Sequence, residues 1–189
     1  GSREEIRKRL LEALSKPRST KSLMYSRNKR AKVTRGIASE YIYSILKELL
    51  KSGEIKKTRI LGKVYYFKPE QERAVERLRE RAVSFALNSL KKGKTGFRFT
   101  LEDAKLAILM RLKEPLSSHE LRRMKTESGV RVRLCSEQLL KSALSSLMEE
   151  GKLLSEYVGH KKYYFKPEQM EEIKQLAEEH RKARKKSSG

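Results

Sequence analysis

The heptapeptide Tyr65-Tyr66-Phe67-Lys68-Pro69-Glu70-Gln71 returns unchanged at Tyr163-Tyr164-Phe165-Lys166-Pro167-Glu168-Gln169, an offset of 98 residues. The same offset, without a gap, pairs Leu11 with Leu109, Pro17 with Pro115, Leu23 with Leu121, Arg35 with Arg133, Leu49 with Leu147, Gly53 with Gly151 and Leu78 with Leu176. The matched residues are mostly apolar, Gly or Pro, the types that set a core and its turns. Self-similarity at one fixed period marks a repeated structural unit, so the chain should fold as two copies of one domain. Its 189 residues suffice for two small domains.

One copy reads as follows. Ile6, Leu10, Leu11 and Leu14 lie at helical spacing over residues 3–14, and Pro17 ends that helix. Ser19 or Thr20 can cap a short second helix through Leu23 and Met24. Residues 26–36 form a basic stretch. Ile42, Ile45, Leu46, Leu49 and Leu50 then make a stripe of period 3.6, a third helix stopped by Gly53. Residues 54–60 and 64–67 read as a hairpin around Gly62-Lys63. Pro69 opens a last helix, with Val75, Leu78, Ala82 and Phe85 on its apolar side, which runs to about Leu90 and stops at Gly93. The fold class is mainly α with small β-hairpins, α+β, in two tandem domains. The expected divisions are a first domain over 1–93, a basic linker over 94–100, a second domain over 101–180 and a disordered basic tail over 181–189.

Three helices, a two-stranded hairpin and a further helix resemble the winged-helix variant of the helix-turn-helix. The resemblance rests on Leu49-Leu50-Lys51-Ser52-Gly53-Glu54-Ile55 leading to Tyr65-Tyr66-Phe67, and on Leu147-Met148-Glu149-Glu150-Gly151-Lys152-Leu153 leading to Tyr163-Tyr164-Phe165. It covers nearly the whole chain, twice. One departure is the connection between helices 2 and 3, about ten residues long in each copy, where the family's turn is short. The resemblance to tandem winged-helix DNA-binding proteins of archaeal type implies that helix 3 enters the major groove while the hairpin, the wing, lies along the backbone.

Charge supports that implication. The formal net charge is +22, and a strongly cationic protein attracts polyanions, of which nucleic acid is the commonest in a cell. The first copy's expected contacts are Ser39, Tyr43 and Lys47 on helix 3, with Arg35 at its start. Arg27, Lys29, Arg30 and Lys32 belong to the preceding segment, and Lys56, Lys57, Arg59 and Lys63 to the hairpin. Arg suits guanine edges, while Ser, Tyr and Lys reach bases or phosphates. In the second copy the expected contacts are Arg122, Arg123, Lys125, Arg131, Arg133 and Lys141, with Lys161 and Lys162 on the wing. Residues 1–90 hold 23 Lys and Arg against 10 Asp and Glu, whereas residues 101–180 hold 14 against 14. The second copy therefore reads as a weaker DNA reader or a surface for a protein partner or dimerisation.

Other chemistries find little support. Gly93-Lys94-Thr95 echoes a P-loop, but Asn88 stands where the motif needs Gly and a helix precedes it. His119, His160, His180 and the single Cys135 are too scattered for a zinc site, so neither a metal nor a cofactor is expected. Cys135 pairs with Ile37 in the repeat and reads as a small core residue. The position of Tyr65, Tyr66 and Phe67 in a central hairpin favours packing over a base-stacking platform. No nucleophile–base pair stands out, so an enzyme is not expected. No stretch approaches the ~20 apolar residues of a membrane span. Gly1-Ser2 without an initiating Met reads as a cloning remnant, so a longer parent chain is expected. Abundant Lys, Arg and Glu with scarce Asn and Gln point to a thermophilic, archaeal source. The expected function is duplex DNA binding in transcription regulation, DNA replication initiation or chromosome organisation, in the cytoplasm on the nucleoid. An interaction scaffold of paired winged helices is the alternative, and RNA binding a lesser one.

Overall fold

The repeat is carried into the backbone element for element. A computed structural model describes residues 2–24 and 37–188. The first copy comprises α1 (Arg3–Ala13), β1 (Arg18–Ser19), α2 (Thr20–Met24), α3 (Ser39–Ser52), β2 (Lys56–Ile60), β3 (Lys63–Phe67) and α4 (Glu72–Lys91). Each has a counterpart starting 98 residues on: α5 (Leu101–Arg111), β4 (Leu116–Ser117), α6 (Ser118–Arg122), α7 (Glu137–Glu149), β7 (Leu154–Val158), β8 (Lys161–Phe165) and α8 (Met170–Ser188). The second copy adds β5 (Arg123–Lys125) and β6 (Arg131–Arg133), an antiparallel pair where a loop was expected. The class is α+β with small antiparallel sheets, ordered β1-β3-β2 and β4-β8-β7.

Each hairpin is packed on both faces, as a pleat with period two requires. Tyr66 joins the core of Ile6, Leu10, Ile42, Ile45 and Leu49 from α1 and α3, with Val64 beside it. Its neighbours Tyr65 and Phe67 turn the other way, onto Val75 and Leu78 of α4. In the second copy Tyr164 joins the core of α5 and α7, whereas Tyr163 and Phe165 meet Ile173 and Leu176 of α8. The three aromatics are packing residues in both copies. Gly53 ends α3 in the left-handed region, with φ +83, and bonds back to Leu49 and Leu50, so the chain reverses into β2.

The chain divides into two compact units, Gly1–Ala82 and Val83–Gly189, and the boundary falls inside α4. The repeat itself breaks there. Val83, Ala86, Leu87 and Leu90 face Arg181, Arg184, Lys185 and Ser188 across the offset. The second half of α4 is accordingly buried in the second unit's core, where Val83, Leu87 and Leu90 meet residues such as Ile108, Leu112 and Leu147. Phe85, expected on the apolar side, is 66% exposed, because the later half of the helix turns a different face inward. Within residues 94–100, expected as a linker, Phe97 and Phe99 pack against this same core. The tail from Arg181, expected to be disordered, instead continues α8 to Ser188. Extending a formed helix avoids the cost of nucleation, and Arg, Lys and Ala are good helix formers.

The invariant Lys-Pro-Glu-Gln has a physical explanation. Pro69 and Pro167 each open a single 3-10 turn. The Gln side chain then bridges three elements. Gln71 Oε1 accepts from the Lys68 N–H at 2.7 Å while its Nε2 donates to the Leu14 carbonyl at 2.7 Å. Gln169 does the same with Lys166 at 2.8 Å and Leu112 at 2.7 Å. It thereby satisfies a carbonyl at the open end of the copy's first helix. Gln169 is buried and Gln71 only half-buried. Gln169→Ala should therefore destabilise the second unit by about 1–3 kcal/mol, the cost of leaving buried polar groups unpaired. Gln71→Ala should destabilise the first unit by less. Denaturant unfolding of the two variants checks the order.

Candidate nucleic-acid interface

Alternation along the hairpins sorts the expected cations onto opposite faces. In the first unit Lys57 pairs across the ladder with Tyr66, and Arg59 with Val64, so both lie on the face turned to α1 and α3. Lys56 pairs with Phe67 and Lys63 with Ile60, the α4 side. Lys56 is also taken up by Glu72, with Nζ and Oε1 at 2.9 Å. It is thus separated from Lys57 and Arg59, with which it was grouped, because successive strand residues point to opposite faces. From the α4 side the buried Arg79 supports the hairpin, donating to the Arg59 carbonyl at 3.2 Å and to Thr58 Oγ1 at 3.0 Å.

Ser39, Tyr43 and Lys47 are all exposed on α3. Their spacing of four places them in one stripe. Tyr43 is 47% exposed. Burial pushes the Tyr66 hydroxyl pKa up and the nearby Tyr43 hydroxyl adds to it. Arg27, Lys29, Arg30, Lys32 and Arg35 lie outside the described residues.

In the second unit the β5–β6 pair brings Arg123 opposite Arg133 and Lys125 opposite Arg131. All four are exposed, while Met124 and Val132 turn inward onto the core. Arg122 does something different. Its Nε donates to Glu137 Oε1 at 2.8 Å, and its guanidinium also bonds Ser118 Oγ. Arg122 was expected as a DNA contact, but its charge is matched by the carboxylate in the first turn of α7. The Arg122 hydrogen bond, followed by its charge and those of Lys141 and Arg133, holds the Glu137 carboxyl below the usual carboxylate range. Arg122 thus pairs this acid directly, and the charges of Lys141 and Arg133 also reach it. Cys135 is half-buried, and burial, with Glu137 adding to it, pushes its thiol up to about 11.

On the second hairpin Lys162 shares the α7-side face with Tyr164 and stands 5.4 Å from its ring centroid. Lys161 pairs with Val158 on the α8 side. Tyr157, opposite Lys162, is 68% exposed on the α7-side face. Sequence reasoning missed it, although it occupies the repeat position of Arg59. At the hairpin's turn Gly159 has φ +63, and a Cβ there would meet the His180 ring at 2.6 Å. Among the described residues, no group of three or more His, Cys, Asp or Glu is placed to hold a metal ion. None of their helices is long and apolar enough to cross a membrane.

The Arg122–Glu137 pair makes a pH prediction. Because Glu137's folded pKa is depressed, the pair's contribution to stability is present above the unfolded glutamate value near ~4.3 and is lost as pH falls through the folded value. In a carbon-detected NMR titration, Arg122→Gln should raise the Glu137 midpoint toward the ordinary value. A wild-type midpoint already at that value would show that the pair does not form. No family model, curated protein or solved structure matches the chain.

Proposed function

We propose that the chain is a duplex-DNA-binding protein made of two winged-helix domains. Their exposed helix faces, on α3 and α7, and their hairpins, the wings, contact DNA in transcription regulation, replication initiation or chromosome organisation, on the nucleoid. The single observation that carries the reading is one shared face in the first unit. The hairpin side that presents Lys57 and Arg59 is the one that Tyr66 packs among Ile42, Ile45 and Leu49 of α3, and the exposed stripe of that helix carries Tyr43 and Lys47. A stripe of donors beside a basic hairpin suits a groove bordered by phosphates. The element order, repeated at one offset with matching strand orders, supports the winged-helix assignment, and the net charge of +22 supports a polyanionic partner.

A second reading, an interaction scaffold, is favoured by one feature. A groove of about 350 Å³ in the second unit is lined by Glu114, Glu120, Glu172 and Glu179 around Tyr163. That surface suits a basic protein segment and repels DNA.

Fluorescence anisotropy against duplex DNA over a salt series separates the two. With roughly five phosphates neutralised per engaged unit, log Kd should change with log salt by about 4 to 5 per unit. The double variant Lys57→Ala, Arg59→Ala should reduce that slope by about two, and Lys56→Ala should leave it unchanged because Lys56 faces α4 and Glu72. Affinity indifferent to salt would sink the DNA reading in favour of the scaffold. Equal effects from Lys56→Ala and the double variant would put the contact on the wrong face.

A further inference from the structure

Residues 101–180 hold as many acids as bases, yet they carry a locally basic surface. Hairpin β5–β6 is a two-stranded ribbon with one face in the core, through Met124 and Val132, and the other in solvent. On the solvent face stand two rungs of facing cations, Arg123 opposite Arg133 and Lys125 opposite Arg131. Like charges directly opposite on a ladder destabilise it, and among the described residues none of these four forms an ion pair with a carboxylate, although the charge of Arg133 reaches Glu137, which Arg122 already pairs. The strand ladder and the packing of Met124 and Val132 hold the ribbon together against that repulsion.

The ribbon is also fixed in place. Its turn is closed by Thr126 N–H to the Val130 carbonyl at 2.7 Å and by Gly129 N–H to the Thr126 carbonyl at 3.0 Å. Glu127 N–H donates to the Lys91 carbonyl at the end of α4, at 2.8 Å. Lys125 further shares a groove of about 590 Å³ with Lys91, Arg111 and Lys113, which enlarges the positive field. The exposed side of α7 is weaker. It offers Lys141 among Gln138, Ser142 and Ser145, with Glu137 at its start. The first copy does not repeat the four cations, since Tyr25, Arg27, Val33 and Arg35 stand at the corresponding positions.

We infer that the second unit engages duplex DNA chiefly through the β5–β6 ribbon, its four-cation face laid against the phosphate backbone, with α7 in a minor role. The inference rests on the DNA-binding reading above. A preformed cationic face loses little conformational entropy on binding, and bound phosphates would relieve the repulsion across both rungs.

The test uses the full chain, a duplex DNA probe and anisotropy over a salt series. The quadruple variant Arg123→Gln, Lys125→Gln, Arg131→Gln, Arg133→Gln should flatten the log–log slope by about three units, and the single-strand pair Arg131→Gln, Arg133→Gln by about half as much. Gln138→Ala with Lys141→Gln should change it by about one unit at most. The quadruple variant's melting temperature should equal or exceed that of wild type, because the facing charges are gone. If wild type binds with a steep slope that the ribbon variants retain and the α7 variant loses, the ribbon inference is overturned while DNA binding stands. If wild type shows no salt-dependent binding to the duplex, both fail together.

Discussion

The pleat of the β2–β3 and β7–β8 hairpins governs the rest of the structure. Each hairpin lies between two helical layers, and alternation sends Tyr66 to one core while Tyr65 and Phe67 go to the other. A slip of one residue would exchange every side chain between faces, so the register must be held firmly. The Gln71 and Gln169 side chains hold it from the strand end by tying the following turn to Leu14 and Leu112. Arg79 holds the first hairpin from beneath. The close approach of His180 to Gly159 bounds the tip of the second. The same alternation that packs the aromatics decides which cations are available together: Lys57 and Arg59 on one face, Lys56 and Lys63 on the other.

Two copies of one scaffold have acquired different surfaces. Net charge suggests a basic surface over residues 1–90 and a neutral one over residues 101–180, but the charges of the latter are segregated rather than mixed. Glu114, Glu120, Glu172 and Glu179 gather at the groove beside α8, while Arg123, Lys125, Arg131 and Arg133 gather on β5–β6. Glu137, in the first turn of α7, is matched by Arg122. Field strength at a surface follows local arrangement, since screening limits each charge to about 8–10 Å at ordinary salt.

Much of this was legible in the sequence. The offset repeat, the stripe of Ile42, Ile45, Leu46 and Leu49, the Gly53 stop and both principal hairpins are strong local signals, and the structure has them. The two-residue strands β1 and β4 were not foreseen, because they are too short to show a period. The β5–β6 ribbon left a signal that its charge obscured: Met124 and Val132 alternate with cations, and a run of basic residues reads more readily as a loop. The division inside α4 was visible as the point where Val83 meets Arg181 across the repeat. The separation of Lys56 from Lys57 follows from strand period alone, whereas the capture of Arg122 by Glu137 needed the three-dimensional approach of α6 to α7.

Lysine acylation footprinting by mass spectrometry measures directly which face of each unit meets the polyanion. On adding saturating duplex DNA, Lys47, Lys57, Lys125 and Lys141 should lose reactivity, while Lys56 on the α4 side and Lys174 on α8 should react as before. Protection of Lys56 and Lys174 with Lys57 and Lys125 left reactive would contradict the account, since it would place the nucleic acid on the opposite side of the hairpins.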